Sequence, residues 1–357
     1  KDPRSIIGKY LSGQADVKAQ KHAGKDCLFA LGTIEMSTLP LHTVHALDVK
    51  IPKGRLTVVT GMSGSGKTTT VLESLVPALR AKICGEKLPP HVQSLKADGI
   101  NRVNLIDATP IGVNVRSTVA TYSGILDDLR KLYASSPKAK ELGLKAGDFS
   151  YNTGSLRCPT CDGTGQISMD IQFLPDVEII CPDCGGKRYS EKACDVKIDL
   201  KGTGYSVADL MNVTISEAAK LFEKHKKIKE KLETLASLGL DYLTLGESTP
   251  SLSGGEAQRL KLAAEMGKTQ SDALFVFDEP TIGLHPKDVG VLLEVFGKLI
   301  GNGATVVVIE HDLDMIKNAD YIIDMGPRGG VAGGRIVAEG MPEDIKNSPE
   351  SITGKYL

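Results

Sequence analysis

Gly61-Met62-Ser63-Gly64-Ser65-Gly66-Lys67-Thr68 is the stretch on which the reading of this chain turns. It follows a β-rich run, Leu56-Thr57-Val58-Val59-Thr60, and leads into a helical run that begins at Lys67. A G-x-x-x-x-G-K-[ST] pattern in that strand–loop–helix setting cradles phosphate. Its glycines let backbone N–H groups turn inward; Lys67 is expected to reach the β- and γ-oxygens of ATP, and the Thr68 hydroxyl to hold Mg²⁺. Gly61, Ser63, Gly64, Ser65, Gly66, Lys67, Thr68 and Thr69 are therefore the candidate phosphate-binding residues. A plain Gly/Ser turn would not require Lys-Thr after its last glycine.

With 357 residues the chain can bury two or three cores. Hydrophobic residues at 41% and charged residues at 24% are ordinary for a soluble globular protein. A net charge of −1 supplies no general field toward nucleic acid or an anionic membrane, so any such binding needs a local patch. No run approaches the ~20 apolar residues of a membrane span and no signal peptide is recognisable; a cytoplasmic protein with no membrane partner is expected. The first residue is Lys1 rather than Met, which suggests a fragment. Ser5-Ile6-Ile7-Gly8-Lys9-Tyr10-Leu11 matches Ser351-Ile352-Thr353-Gly354-Lys355-Tyr356-Leu357 at six of seven positions. The same motif is expected to close two tandem units, residues 1–27 being the tail of a preceding one.

Four of the seven cysteines form Cys158-Pro-Thr-Cys161 and Cys181-Pro-Asp-Cys184, with nineteen residues between the pairs. That spacing, without an export signal, reads as a Cys₄ zinc site rather than a disulfide framework. Asp162-Gly163-Thr164-Gly165 and Gly185-Gly186 supply the tight turns that aim both sulfurs of each pair at one metal. Cys27, Cys84 and Cys194 stand alone and read as ordinary small residues.

Residues 28–60 look β-rich, with a turn at Pro52-Lys53-Gly54, and Val103–Asp107 reads as a further strand. Ser123–Ala134 has helical spacing of Ile125, Leu126, Leu129 and Leu132. Thr214-x-x-Glu217 is a capping-box signal, after which Ala218, Leu221, Phe222, Ile228, Leu232 and Leu235 form an apolar helical face up to Gly239. Strand candidates Leu274–Phe277, Thr305–Ile309 and Tyr321–Met325 alternate with helices, which predicts an α/β fold with a mostly parallel sheet. Asp278 and Glu279 end the first of these strands. Asp278 suits Mg²⁺ and Glu279 suits a general base that polarises the attacking water. His311, after the second strand, is placed to donate to a γ-phosphate.

Leu252-Ser253-Gly254-Gly255-Glu256 opens an Ala/Leu-rich helix, Ala257–Met266. Ser253 can cap it, and the bare N–H groups of Gly254 and Gly255 suit an anion at its positive end. One phosphate site already lies before the helix at Lys67, so a second makes sense if each serves a different ATP across a dimer. In this the chain resembles the ABC ATPase superfamily, whose ATP is sandwiched between the phosphate loop of one cassette and the Ser-Gly-Gly signature of another. The resemblance implies an ABC-type ATPase with a mostly parallel sheet, an antiparallel β portion, a helical signature domain and an inserted Cys₄ zinc module. It implies boundaries at 28–122 (ATP-binding core, first part), 123–250 (signature domain, zinc module at about 150–204) and 251–357 (signature helix and second part of the core).

Lys67 and Ser253 are 186 positions apart (253 − 67), with the Cys₄ module between them. Together with Phe173-Leu174-Pro175-Asp176-Val177, Gly186-Lys187-Arg188-Tyr189, Ala120-Thr121-Tyr122, Gly283-Leu284-His285-Pro286 and Gly326-Pro327-x-Gly329-Gly330, this layout looks like the UvrA family. The likeness covers nearly the whole chain and corresponds to the second cassette of that family. It implies double-stranded DNA as a partner, a second ABC cassette to complete the ATP sites, and a UvrB-like protein that binds through the first cassette. Ala108 stands where the family has Gln and cannot ligate Mg²⁺ or a lytic water; Val113–Val119 loses a basic residue and both prolines of the family pattern. These departures also suit a UvrA-like paralogue of drug self-resistance. No aromatic residue between Met36 and Lys53 is available to stack on adenine.

Lys187, Arg188, Lys192 and Lys201 near the cysteines, and Lys224, Lys226, Lys227, Lys229 and Lys231 on the capped helix, are the candidate DNA-phosphate contacts. For the helix cluster a solvated face is the commoner meaning of such a charge run. A transporter nucleotide-binding subunit is the alternative of another class; the metal insert and Ala108 argue against it. A chaperone-like module similar to the DnaJ cysteine-rich repeats would leave the ATP motifs without a purpose.

Overall fold

The computed structural model describes Val17 and residues 24–112, 114–169, 177–266 and 270–357. The terminal motif copy at 5–11, Val113 and Phe173–Asp176 lie outside the described residues. Two compact units divide the chain: Lys1–Ala108 with Lys268–Leu357, and Thr109–Gly267. In chain order the described strands are β1 (Thr33–Thr38), β2 (Asp48–Pro52), β3 (Leu56–Gly61), β4 (Val92–Lys96), β5 (Arg102–Ile106), β6 (Gln166–Met169) and β7 (Val177–Ile180). They continue with β8 (Lys197–Leu200), β9 (Thr203–Ser206), β10 (Ala273–Asp278), β11 (Thr305–Ile309), β12 (Tyr321–Gly326) and β13 (Arg335–Gly340).

In the first unit a sheet runs in the order β13-β12-β3-β11-β10-β5, parallel except for β13 at its edge. Runs such as Thr305-Val306-Val307-Val308-Ile309 are buried at every position, as strands covered on both faces must be. A smaller antiparallel sheet, β2-β1-β4, alternates inward Ile34, Met36 and Thr38 with half-buried neighbours. Phe277 of β10 packs on Phe296 of the helix Pro286–Gly301, ring centroids 4.6 Å apart. After the phosphate loop the helix opens with wide π-type turns over Thr69–Leu75 before it tightens into Val76–Cys84. The expected strands all form, each within about a residue of its sequence boundary.

The second unit is mainly helical, with hairpins β6-β7 and β8-β9. Its division from the first differs from the boundaries read in the sequence at 122/123 and 250/251. Residues 109–122 go with the helices because Val119 N and Ala120 N donate to Glu247 O and Leu245 O, at 3.0 and 2.9 Å. The signature helix, Gly254–Met266, falls in this unit too.

The Thr214 capping box forms: Glu217 N donates to Thr214 Oγ1 and Thr214 N to Glu217 Oε2, both at 3.2 Å. The apolar face that follows is two helices rather than one, Ile215–Leu221 and Lys226–Ser237. Phe222 is fully buried at the elbow, edge-on to the His225 ring with centroids 5.7 Å apart. Periodicity missed the break because both helices turn their apolar sides to one core.

Lys231 on the second of these helices donates to Asp128 Oδ2 and to Gly124 O, each at 2.7 Å, while Lys227 lies 2.9 Å from Asp128 Oδ1. Burial alone would raise the Asp128 carboxyl; hydrogen bonds from both ammonium groups outweigh it and hold it below its usual range. A depressed carboxylate stabilises the fold above the unfolded pKa of about 4 and loses that contribution as pH falls through the folded value. Lys231→Met should therefore cost about 1–3 kcal/mol at neutral pH and flatten the acid side of the stability curve. Chemical denaturation across pH measures both; an unchanged acid limb would contradict the pairing.

Candidate functional site

The phosphate loop is forced into shape by close contacts that leave no room for a Cβ. Gly61 sits at φ 129°, where a Cβ would lie 2.0 Å from Met325 O; Gly66 sits at φ 99°, where one would lie 2.4 Å from Val44 Cγ2. The glycine-rich stretch after β12 holds the loop from behind: Gly330 N donates to Gly64 O at 3.0 Å and Gly334 N to Ser65 O at 3.1 Å. Ser63, Gly64 and Thr68 face solvent. The Ser65 hydroxyl is buried without a hydrogen-bond partner among the described residues. Lys67 is buried and donates to Gly61 O and Met62 O, both at 2.9 Å, which uses two of its three ammonium protons. Burial lowers its pKa, opposed by the charges of Glu279, Asp324 and Asp278. A loop with solvent-facing Ser63, Gly64 and Thr68, an orphan hydroxyl and a lysine that retains a donor fits a polyphosphate.

Asp278 closes β10 and Glu279 follows at φ 47°, its N–H donating to Ile309 O at 3.0 Å. Glu279 Oε1 lies 3.3 Å from His311 Nε2. Burial raises the Asp278 carboxyl, and the charges of Glu279, Asp107 and Glu310 raise it further. Such crowding of negative charge is what a divalent cation relieves, and hard carboxylate and hydroxyl oxygens are its ligands. Asp278 and Thr68 are the residues that would hold Mg²⁺.

Three further carboxylates of this unit belong to no local motif. Asp107 joins the charge around Asp278. Glu310, next to His311, carries no local spacing signal of its own. Asp324, in the middle of β12, is buried and accepts from Ser351 Oγ at 2.5 Å and Thr353 Oγ1 at 3.1 Å. The C-terminal motif is thus a latch: Ser351 Oγ also receives Gly354 N at 2.7 Å. An acid inside a strand flanked by Ile and Met was the available signal.

In the second unit Ser253 and Glu256 form a reciprocal cap on the signature helix. Ser253 N donates to Glu256 Oε2 at 2.7 Å and Glu256 N to Ser253 Oγ at 3.4 Å. The Tyr242 hydroxyl also donates to Glu256. Burial would raise this carboxyl, but Tyr242 and Ser253 outweigh it and hold it low. Ser253 and Gly254 are exposed, and Gly255 has open space where a Cβ would stand.

Cys158, Cys161, Cys181 and Cys184 converge in the same unit, all buried, with their sulfurs within 4.8 Å of one another. Sγ–Sγ distances of 3.9 Å (Cys158–Cys181) and 3.7 Å (Cys161–Cys184) match the edge of about 3.8 Å of a tetrahedron with Zn–S bonds of about 2.3 Å. Gly165 N donates to Cys161 Sγ at 3.3 Å, an outer contact of the kind that orients thiolates. Gly163 allows the turn: at φ 79° a Cβ would lie 1.8 Å from Tyr151 O. The residues fit zinc.

Several candidate DNA contacts are already engaged. Arg188 is buried, donates to Val115 O at 2.8 Å and lies over the Tyr151 ring 5.3 Å from its centroid. It anchors the cysteine module and is unavailable to phosphate, which corrects the sequence reading. Lys201 pairs with Glu223 at 2.9 Å, Lys187 with Asp209 at 3.5 Å, and Lys229 with Glu233 at 3.5 Å. Lys227 and Lys231 are both engaged by Asp128.

No family model matches the chain. UvrABC system protein A of Staphylococcus aureus (strain COL) is 44% identical over 363 residues, which cover 100% of this chain and 37% of that protein. The protein of the same name from Bacillus subtilis (strain 168) is 44% identical over 360 residues, with the same coverage. The crystal structure of UvrA2 from Deinococcus radiodurans superposes with a TM-score of 0.87 at 37% identity, covering 99% of this chain and 42% of that one. The chain thus spans little more than a third of the length of these curated relatives. No helix among the described residues is long and apolar enough to cross a membrane.

The metal centre can be checked independently of these likenesses. Burial pushes the Cys184 thiol up to about 12 and raises that of Cys158. Both stay protonated at neutral pH until a metal displaces the protons, so occupancy should fall as pH falls. Elemental analysis should find about one zinc per chain, and Cys181→Ser with Cys184→Ser should remove it. A purified wild-type protein free of metal would refute the assignment.

Proposed function

Because the chain is an ABC ATPase cassette of the UvrA family, we propose that it is the ATP-hydrolysing second cassette of a cytoplasmic DNA-damage recognition protein in nucleotide excision repair. One observation carries the catalytic part of the reading: Glu279 at 3.3 Å from His311, beside the charge field of Asp278 and the buried Lys67. Lys67 and the loop amides of Gly61–Thr69 neutralise and orient the β- and γ-phosphates. Thr68 and Asp278 are the residues that would hold Mg²⁺, which would supply neutralisation of the phosphate charge. Glu279 accepts the proton of the attacking water, and His311 orients Glu279 and donates to the γ-phosphate. Ser253, Gly254, Gly255 and Glu256 form the helix start that closes on an ATP bound by another cassette, from a tandem half or a second copy. Double-stranded DNA is the macromolecular ligand, the zinc-bearing unit is part of the surface that meets it, and a UvrB-like protein is the downstream partner.

A second reading, a UvrA-like ATPase of drug self-resistance, is favoured by Ala108 in a loop where the family carries Gln. Salt dependence separates the two. Affinity for damaged duplex should fall as salt rises, with a linear log–log slope; a titration without binding at any salt would favour the resistance reading. Lys67→Ala should abolish ATP turnover while the circular dichroism stays that of the wild type. Glu279→Gln should slow turnover by about 10²–10⁴-fold with nucleotide still bound. Undiminished turnover in either variant would remove the assigned site.

A further inference from the structure

Glu310 makes more of the site than its own side chain would suggest. Its carboxylate is buried and takes hydrogen bonds from two different loops. Oε1 accepts from Thr281 N at 2.8 Å and Thr281 Oγ1 at 2.5 Å; Oε2 accepts from His311 N at 2.7 Å and Asp312 N at 3.1 Å. Thr281 is two residues past Glu279 in the loop after β10, and His311 opens the loop after β11. Its own N–H donates to Val59 O at 3.1 Å, which seats the residue on β3, the strand that feeds the phosphate loop. Glu279 needs such support, since φ 47° is a conformation that residues with a Cβ rarely adopt.

We propose that Glu310 is a positioning residue for hydrolysis: it clamps the loops after β10 and β11 so that the Glu279 carboxylate and the His311 imidazole face each other. The inference rests on the ATPase reading above. All four contacts are donors to an acceptor-only group, so no neutral isostere can replace it. Glutamine would turn an NH₂ toward one pair of donors, either the N–H and hydroxyl of Thr281 or the amides of His311 and Asp312. The clamp would open on that side with little change in volume.

The test measures steady-state ATP turnover and the affinity of a fluorescent ATP analogue on the purified full-length protein. Glu310→Gln should lower kcat by about 100-fold, the cost of misplacing a catalytic group by roughly 1 Å. KM and analogue affinity should stay within about threefold, because the phosphate loop is untouched. In a Glu279→Gln background Glu310→Gln should cause a much smaller further loss of single-turnover hydrolysis than in the wild type, since only His311 is left to position. A multiplicative loss there, a parallel fall in affinity and kcat, or wild-type kcat in Glu310→Gln would each overturn the proposal. Should Glu310→Gln not fold, Thr281→Val serves, because it removes one hydroxyl donor and keeps the charge. A severalfold lower kcat with unchanged affinity supports the clamp, and wild-type kcat refutes it. Lys67→Ala is the control for the underlying reading: if it hydrolyses ATP like the wild type, the ATP site itself is misassigned, whatever the Glu310 variants do.

Discussion

The buried ammonium of Lys67 is the constraint around which the first unit is arranged. Desolvation disfavours its charge, and Glu279, Asp324 and Asp278 are the carboxylates that oppose it. They come from the ends or middles of β10 and β12, which lie to either side of β3 and β11 in the sheet. Burial raises the carboxyls of Asp278 and Asp324, with neighbouring carboxylates adding to it at Asp278, so each acid is costly by itself and sustained by the cation. A site with charges in this balance has a use for added phosphate and metal, each of which satisfies one sign.

Positions in the site are set from behind, by groups that would not touch a nucleotide. Gly330 and Gly334 hold the carbonyls of Gly64 and Ser65. Ser351 and Thr353 hold Asp324, and Glu310 joins two loops. Apart from the contact of Glu310 with its own neighbour His311, these are hydrogen bonds between segments distant in the chain and close in the sheet. They explain why glycine and small hydroxyl residues recur where the chain returns to the end of the sheet: a larger side chain at Gly61 or Gly329 would collide with a backbone oxygen.

In the helical unit, several cations are committed to contacts within the fold. Arg188 ties the cysteine module to Val115 and stacks on Tyr151, whose hydroxyl in turn donates to Arg116 O at 2.9 Å. Lys227 and Lys231 neutralise Asp128. A count of basic residues therefore overstates the charge free to meet a polyanion. Lys192 and Lys224 are better candidates than Arg188 for that role.

Local chemistry was legible along the chain. The phosphate loop, the Asp278-Glu279 strand end, the Ser253 cap, the Thr214 box and the paired Cys-x-x-Cys turns each depend on residues within a few positions of one another, so spacing alone identified them. The break at Phe222–His225 was hidden because two helices that share a core keep one periodicity. Glu310, Asp324 and Arg188 could not be assigned from spacing, since the roles of Glu310, Asp324 and Arg188 lie in partners 27–73 positions away. Sequence by itself determined which residues carry charge, sulfur and backbone freedom. Tertiary structure decided which of those charges are buried and matched, because desolvation and hydrogen bonding depend on neighbours that only the folded sheet and helices bring together.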